Sequence, residues 1–358
     1  MRVIDGGAAA PHALLPAGAL FGSSPSEIAR APSGRQLVVD RTFRGICFAC
    51  ALFTVGLVAF IVLQIAFSAA PAIQRYGVSF LSGRVWDPNT ERYGILGEVW
   101  GTLYTSVLAL VIGSAFGVAA AIFLSEGYVS QASFAMLRRA KLHLHPVYSA
   151  MPDQLERLLQ NLIELLAAIP SVVYGLWGLF VVIPMIRPVC NWLHLKLGWI
   201  PLFSTDLSGP GVLPAVLVLS IMILPTITAI SRDALVAVPP KLRMAAYGLG
   251  ATRWEAVLAV ILPTASRGIV GGIVLAFGRA LGETMALAML VGNSNQISLS
   301  MFSPANTLAA LLANNFPEAG ARQVGVLMYA ALVLLAITLA VNIVGALIIQ
   351  RASLAHAE

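Results

Sequence analysis

Residues 244–283 read MAAYGLGATRWEAVLAVILPTASRGIVGGIVLAFGRALGE, and they are the most informative part of the chain. Its first half is a short amphipathic segment, rich in alanine and glycine, that ends at Leu262-Pro263. An apolar run follows at once and contains one arginine, Arg279, and one glutamate, Glu283. Charged side chains inside a membrane-spanning run are costly and mark functional sites. The stretch therefore predicts an element outside a membrane that is joined directly to a membrane helix carrying charge.

The composition of the whole chain agrees with a membrane protein. Of its 358 residues 58% are apolar and 11% are charged, and the mean hydropathy is +0.86. Soluble domains carry about 25% charged residues, so a soluble fold is excluded. The net charge of +6 does not require a nucleic-acid partner, because an excess of Lys and Arg in membrane proteins marks cytoplasmic loops.

Six apolar runs are long enough to cross a bilayer, which takes about 20 residues. They cover residues 46–70, 100–123, 162–186, 211–230, 269–291 and 324–349. We therefore predict an all-α, polytopic membrane protein with six transmembrane helices within residues 45–350. Residues 1–44, rich in Ala, Pro, Gly and Ser, are predicted to be a disordered tail.

The distribution of positive charge predicts the topology. With the N-terminus inside, fifteen Lys and Arg residues fall on the inner side and six on the outer side. This asymmetry favours two cytoplasmic termini. It also places residues 239–265 in the cytoplasm.

Local signals predict a helical hairpin within residues 239–265. Gly250 suits the left-handed position that ends a first helix, which carries Ala245 and Ala246 on one face. Thr252 and Glu255 form the sequence pattern of a capping box, which starts a second helix. That helix is predicted to end before Pro263.

Two interpretations of the hairpin remain open on physical grounds. An amphipathic hairpin can rest on lipid headgroups. It can also place a face of small residues in a groove of a soluble partner.

Arg279 and Glu283 are four residues apart, a spacing that places two side chains on one helix face. One interpretation is a structural ion pair whose charges neutralise each other. The other is that Arg279 binds an anion on a polar path, because a guanidinium offers a planar set of donors to phosphate or carboxylate oxygens.

The hairpin also resembles the EAA loop of bacterial ABC importer permeases. The resemblance is carried by Ala245-Ala246, Gly250 and Leu262-Pro263 at the family spacing. Met244 stands in place of the usual Glu, and Val260 in place of Ile. In that family the loop docks in a cleft of the ATPase subunit, so the resemblance assigns ATPase coupling to Ala245, Ala246, Gly250, Thr252, Glu255, Leu262 and Pro263.

A second resemblance extends over nearly the whole chain. Residues 278–286 (GRALGETMA), followed by 291–293 (VGN), are similar to the fifth-span signature of PstC-type permeases of phosphate ABC importers. Further matching stretches are YGIL at 93–96, GTLYTS at 101–106, IELLAAIPSVVYG at 163–175 and TLAALLAN at 307–314.

This second resemblance implies a complete assembly in the bacterial inner membrane. The chain would have the type I importer permease fold and line a phosphate path with a sister subunit of the PstA type. Two ATPase subunits of the PstB type would lie below it and a periplasmic phosphate-binding protein of the PstS type above it. Arg279 and Glu283 would belong to the substrate path. The chain itself would be no enzyme and bind no cofactor, and ATP would be used by the partner ATPase.

Other functions are less well supported by the residues. The permease of another oxyanion importer, such as one for sulfate or molybdate, is the alternative within transport. A metal site at Cys47 and Cys50, or at His143 and His145, lacks further ligands, and no catalytic constellation is visible. The chain also lacks a G-x-x-x-x-G-K-[ST] loop, so it cannot supply the ATPase activity itself.

Overall fold

The structure is a computed structural model that describes residues 33–127 and 151–354. Most of the predicted tail and residues 128–150 of the long inner loop, with His143 and His145, lie outside the described residues. Six helical segments within the described part are long and apolar enough to cross a membrane. They are Gly34–Tyr76, Leu96–Ser125, Ser171–Leu197, Val212–Val236, Arg253–Leu281 and Ala321–Arg351, and we call them spans 1 to 6. The prediction of an all-α protein with six spans is confirmed.

The described residues form thirteen α-helices and one short hairpin of strands. The helices are α1 (Gly34–Tyr76), α2 (Ser79–Ser82), α3 (Leu96–Ser125), α4 (Met151–Ala168), α5 (Ser171–Trp177), α6 (Ile183–Leu197), α7 (Val212–Val236), α8 (Pro240–Gly248), α9 (Arg253–Ala256), α10 (Leu262–Leu281), α11 (Met285–Leu290), α12 (Leu308–Asn315) and α13 (Ala321–Leu354). The strands β1 (Trp86–Asp87) and β2 (Arg92–Tyr93) pair antiparallel. π-helical turns at Gly178–Val182 and Val257–Ile261 join α5 to α6 and α9 to α10, and 3₁₀ turns lie at Pro201–Phe203 and Phe316–Glu318.

The first span begins earlier than predicted. Helix α1 starts at Gly34, so the prediction of a disordered tail is wrong for residues 34–44. The reason is a capping pair: the Ser33 amide donates to Gln36 Oε1 at 2.8 Å, and the Gln36 amide donates to Ser33 Oγ at 3.3 Å. This S-x-x-Q pattern satisfies amides that a helix N-terminus otherwise leaves unpaired.

The third span also differs from its prediction over residues 162–186. Residues 151–168 form the separate amphipathic helix α4, and span 3 starts after Pro170 and continues to Leu197. Pro170 has no amide hydrogen and adopts an extended ψ of 139°, which ends the preceding helix instead of kinking a continuous one. The apolar run predicted as a span, residues 162–186, therefore contains the end of α4 and the start of span 3.

The chain divides into two packing units, Met1–Ile61 and Val62–Glu358. The centre of the second unit is the contact between α3 and α7. Gly113 and Gly117 lie so close to Ile223 and Ile227 that a Cβ on either glycine would approach within 2.8 Å. The hydroxyl of Thr228 also donates to the Gly117 carbonyl at 3.2 Å. This G-x-x-x-G is therefore a close helix contact of the kind that small residues allow inside membranes.

An ion triad lies between α1, the β hairpin and α13. Glu91, after β1, accepts hydrogen bonds from Arg75 at 2.6 Å and from Arg322 at 3.1 Å. These two guanidinium groups lower the pKa of the Glu91 carboxyl. The triad ties the ends of α1 and α13 to the β hairpin.

One glycine in α3 allows an especially close approach of backbone. A Cβ on Gly101 would lie 1.9 Å from the carbonyl oxygen of Asn306. Gly101→Ala is therefore expected to lower the free energy of unfolding by about 1–3 kcal/mol, the range typical of overpacked sites.

Thermal unfolding of the detergent-purified chain measures this effect. Gly271→Ala is the matched control, because its new methyl group would meet only Ile349 Cδ1 at 3.8 Å. Equal unfolding midpoints for the two variants would contradict the predicted clash.

Candidate functional site

The hairpin predicted from the sequence is present: α8 follows span 4, and α9 is the first part of the helical segment of span 5. Helix α8 ends in a Schellman motif: the Ala251 amide donates to the Ala246 carbonyl at 3.1 Å, and the Gly250 amide donates to the Tyr247 carbonyl at 3.0 Å. Gly250 has a φ of +87°, which is the predicted left-handed position.

The second hairpin helix starts as predicted. The Thr252 amide donates to Glu255 Oε2 at 2.7 Å, and the Glu255 amide donates to Thr252 Oγ1 at 3.4 Å. These reciprocal bonds complete a capping box, so the predicted capping box is confirmed. Hydrogen bonds at both its start and its end therefore fix the turn between α8 and α9.

The left-handed turn supports a test of hairpin geometry. Gly250→Ala is expected to destabilise the hairpin by about 1–2 kcal/mol, because a Cβ disfavours the left-handed conformation. Gly248→Ala is the matched control, since Gly248 lies in α8 and has no atom within 4 Å of an added Cβ. Hydrogen exchange at the amides of residues 250 and 251 measures local opening. Equal protection in both variants would contradict the prediction.

The two alanines do not share a face. Ala246 is buried, whereas Ala245 is exposed. The prediction of a joint small-residue face is wrong because consecutive helix residues are rotated by about 100°. Ala246 packs inward, and only Ala245 is available to a partner.

The hairpin also exposes several large apolar side chains. We call this set the hairpin surface, and its members are Met244, Tyr247, Leu249, Trp254 and Leu258. Leu249, at the turn, is 90% exposed, and Met244 is 66% exposed. Met244 occupies the position at which the resemblance expects Glu. Several large apolar side chains exposed on one short element indicate an interaction site.

Pro263 does not end the second hairpin helix, so that prediction is wrong. Residues 257–261 form a π-helical turn in which the Leu262 amide donates to the Val257 carbonyl. Pro263 then lies in the first turn of α10. One helical segment thus runs from Arg253 to Leu281 and joins the hairpin to Arg279.

Arg279 and Glu283 are placed differently from the prediction. Helix α10 ends at Leu281, and the tight turn of Gly282 and Glu283 separates it from α11. The two charged residues therefore do not share a helix face, and no salt bridge joins them in the described part of the chain. The interpretation as a structural ion pair is wrong, because Gly282 ends the helix before Glu283.

No pattern in the sequence indicates the partner of Arg279. Arg279 is exposed, and its Nη1 donates to Thr226 Oγ1 at 3.4 Å. Thr226 lies in α7 directly after Pro225, near the middle of span 4. Glu283 is half-buried in the turn that follows α10. An exposed guanidinium beside the middle of span 4 is chemically suited to a mobile anion.

A cavity of about 410 Å³ borders Thr226 and extends along α7. Its lining is formed by α3, α4 and α7 and contains Gln160, Glu164, Thr226, Thr228, Arg232 and Asp233 among apolar residues. Because Thr226 is near the middle of span 4 and Asp233 is near its end, the cavity leads from mid-span to the hairpin side. The cavity is largely apolar and carries two carboxylates, of Glu164 and Asp233, and one guanidinium, of Arg232.

Metal chemistry finds no support in the described residues. No group of three or more His, Cys, Asp or Glu side chains could hold a metal ion there. Cys47 and Cys50 are free and exposed on α1.

A family model described as binding-protein-dependent transport system inner membrane component matches residues 147–353 of the chain. This range contains the hairpin, Arg279 and Glu283.

Curated relatives extend the similarity beyond that range. The chain is 40% identical to the phosphate transport system permease protein PstC of Haemophilus influenzae, over 88% of this chain and 95% of the relative. It is 33% identical to the probable phosphate transport system permease protein PstC of Methanocaldococcus jannaschii, over 84% and 91%. It is also 33% identical to the probable ABC transporter permease protein YqgH of Bacillus subtilis, over 76% and 78%.

Solved structures share the fold at low sequence identity. A chain of a bacterial alginate ABC transporter, in complex with an alginate pentasaccharide-bound periplasmic protein, superposes with a TM-score of 0.52 at 14% identity, over 86% of this chain and 94% of that chain. A chain of the MetNI methionine ABC transporter, in inward-facing conformations, gives 0.50 at 17% identity, over 75% and 99%. The predicted fold of ABC importer permeases is confirmed.

Proposed function

This chain belongs to the family of binding-protein-dependent transport system inner membrane components, and from that membership we propose that it is the permease subunit of an ATP-driven importer of inorganic phosphate. The relatives named as phosphate permeases cover most of the chain and favour phosphate over sulfate or molybdate. The structural observation that carries the proposal is the single helical segment between the exposed hairpin and Arg279.

The proposed partners follow from the surfaces of the chain. The hairpin surface is the docking site for an ATPase subunit, because it is apolar and exposed at the side where positive charge places the cytoplasm. The exposed position of Arg279 on this chain supports a path formed with a sister permease subunit. A periplasmic binding protein delivers phosphate from the opposite side. We assign the chain to the bacterial inner membrane, with both termini in the cytoplasm.

In the proposed mechanism, Arg279 attracts phosphate to the middle of the path. Its guanidinium donates to the oxygens of phosphate more strongly than to a neutral hydroxyl such as that of Thr226. The partner ATPase uses ATP to move the hairpin. The helix from Arg253 to Leu281 transmits that motion to Arg279. A straight helix from Pro263 to Arg279 is about 24 Å long.

Glu283 supplies a means of distinguishing oxyanions. Phosphate at neutral pH carries a proton that can donate to a carboxylate, whereas sulfate does not. An unprotonated anion would meet an uncompensated negative charge at Glu283, which is a repulsive element of the kind that specificity requires. Arg279 and Glu283 act separately in this proposal, because no salt bridge joins them.

The test is a reconstituted complex of this chain with its sister permease, ATPase and binding protein in proteoliposomes. Phosphate is expected to stimulate ATP hydrolysis and to accumulate inside, and sulfate and molybdate are expected to do neither. Vesicles without the binding protein are the control. Stimulation by sulfate or molybdate, and not by phosphate, would overturn the assignment of the substrate.

A further inference from the structure

One arginine of the hairpin connects three helices. Arg243 lies in α8, and its Nη1 donates to Glu126 Oε1 at 2.6 Å. Its Nη2 donates to the backbone carbonyl of Leu235 at 2.8 Å. Glu126 directly follows α3 of span 2, and Leu235 lies in the last turn of α7 of span 4. A single guanidinium thus joins the hairpin to the ends of two spans.

The ion pair is largely removed from solvent. The side chain of Glu126 is 6% exposed and that of Arg243 is 20% exposed. Surface ion pairs contribute little, whereas a shielded pair fixes geometry because each charge depends on its partner. The contact therefore differs from an incidental surface pair.

The position of the carboxylate gives a second reason to assign it a role. Glu126 is the residue that caps the C-terminus of α3. The C-terminus of a helix carries partial negative charge, so a carboxylate is unfavourable there and a guanidinium is favourable. Arg243 compensates Glu126 and also binds a terminal carbonyl of α7. It is suited to hold both helix ends at one point.

Apolar packing supports the same connection. Leu235, Val257 and Ile261 belong to one buried cluster with Ala121 of α3, so the π-helical turn of the hairpin packs on the same two spans. Spans 2 and 4 are themselves closely packed through Gly113 and Gly117. The two spans are therefore expected to move together when their common end is displaced.

We propose that the pair of Arg243 and Glu126 is a coupling latch, which transmits displacement of the hairpin to spans 2 and 4. The proposal rests on the proposed function as a permease. It adds a second route to the one along span 5: α10 moves Arg279, and the latch moves α7, which carries Thr226. Because Arg279 donates to Thr226, the two routes meet at the proposed phosphate path.

The test is the ratio of phosphate imported to ATP hydrolysed by the reconstituted complex. Arg243→Gln and Glu126→Gln are each expected to lower this ratio about fivefold or more, as coupling free energies in proteins commonly do. ATP hydrolysis is expected to continue. The double variant is expected to give a ratio no lower than that of either single variant, because both substitutions remove the same contact. Arg243→Lys keeps the charge and is expected to recover part of the ratio.

The control is Arg351→Gln, which removes an exposed arginine of span 6 to which the described residues give no hydrogen bond or ion pair. An unchanged ratio in both latch variants would overturn the proposal. So would a parallel fall in uptake and hydrolysis with loss of assembled complex, because that is the signature of a structural contact alone. If another anion than phosphate stimulates the wild-type complex, the ratio is measured for that anion. The latch is then judged independently of the substrate.

Discussion

Arg279→Gln is expected to reduce phosphate uptake by the reconstituted complex at least about tenfold. Hydrogen bonds to charged groups contribute about 1.5–3 kcal/mol each, and one such bond is enough for an effect of this size. Arg279 is exposed and has a neutral hydroxyl, that of Thr226, as its hydrogen-bond partner at 3.4 Å. It is therefore available to a passing anion, and the substitution removes the charge that would bind it.

The observed geometry makes this substitution informative. Had Arg279 been paired with Glu283, its removal would have left a carboxylate uncompensated within the membrane, and misfolding would have explained any loss. No salt bridge joins them in the described residues, so the assembled complex is expected to form normally. Uptake, ATP hydrolysis and complex yield are measured in parallel.

Two further variants complete the test. Arg279→Lys retains the charge but not the planar set of donors, and it is expected to give intermediate uptake. Glu283→Gln is expected to allow sulfate to compete more strongly with phosphate. Normal uptake in both Arg279→Gln and Glu283→Gln would remove these residues from the path.

Leu249→Asp is expected to abolish copurification of the ATPase subunit with the permease. Leu249 is 90% exposed at the turn of the hairpin, so it contributes little to the fold of this chain. Burial of a charge at the centre of an interface removes a contact of the size of a hot spot, about 2 kcal/mol or more, which is about thirtyfold in affinity.

The conservative variant Leu249→Met is the control and is expected to retain the ATPase. Membrane content and thermal unfolding of the permease alone are expected to be unchanged in both variants. The measurement also decides between the two interpretations of the hairpin. If it rests on lipid headgroups, Leu249→Asp will leave ATPase binding intact, and the docking assignment will be wrong.

Local hydrogen-bonding signals were predicted well from the sequence. The left-handed Gly250 and the capping box of Thr252 and Glu255 depend on residues within a few positions of each other, and both are present as predicted. The capping pair of Ser33 and Gln36 is of the same kind and could have been recognised. Because the prediction for span 1 did not include this capping pair, its predicted start at residue 46 is too late.

Helix interruptions were predicted less well, because proline and glycine have effects that depend on their surroundings. Pro170 ends a helix, Pro225 lies inside one, and Pro263 follows a π-helical turn that continues the helix. A hydropathy window cannot distinguish these cases. For the same reason the break at Gly282 was missed, and with it the separation of Arg279 from Glu283.

Hydrophobic length and local caps act over short distances along the chain, so the membrane class, the number of spans and the hairpin turn could be predicted from the sequence. Which side chains meet could be seen in the tertiary structure alone. In the structure Arg279 contacts Thr226 and is separate from Glu283. Arg243 contacts Glu126 and Leu235, which belong to two other helical segments. The physical reason is that such contacts depend on how helices pack against each other, and residues distant in sequence fix that packing.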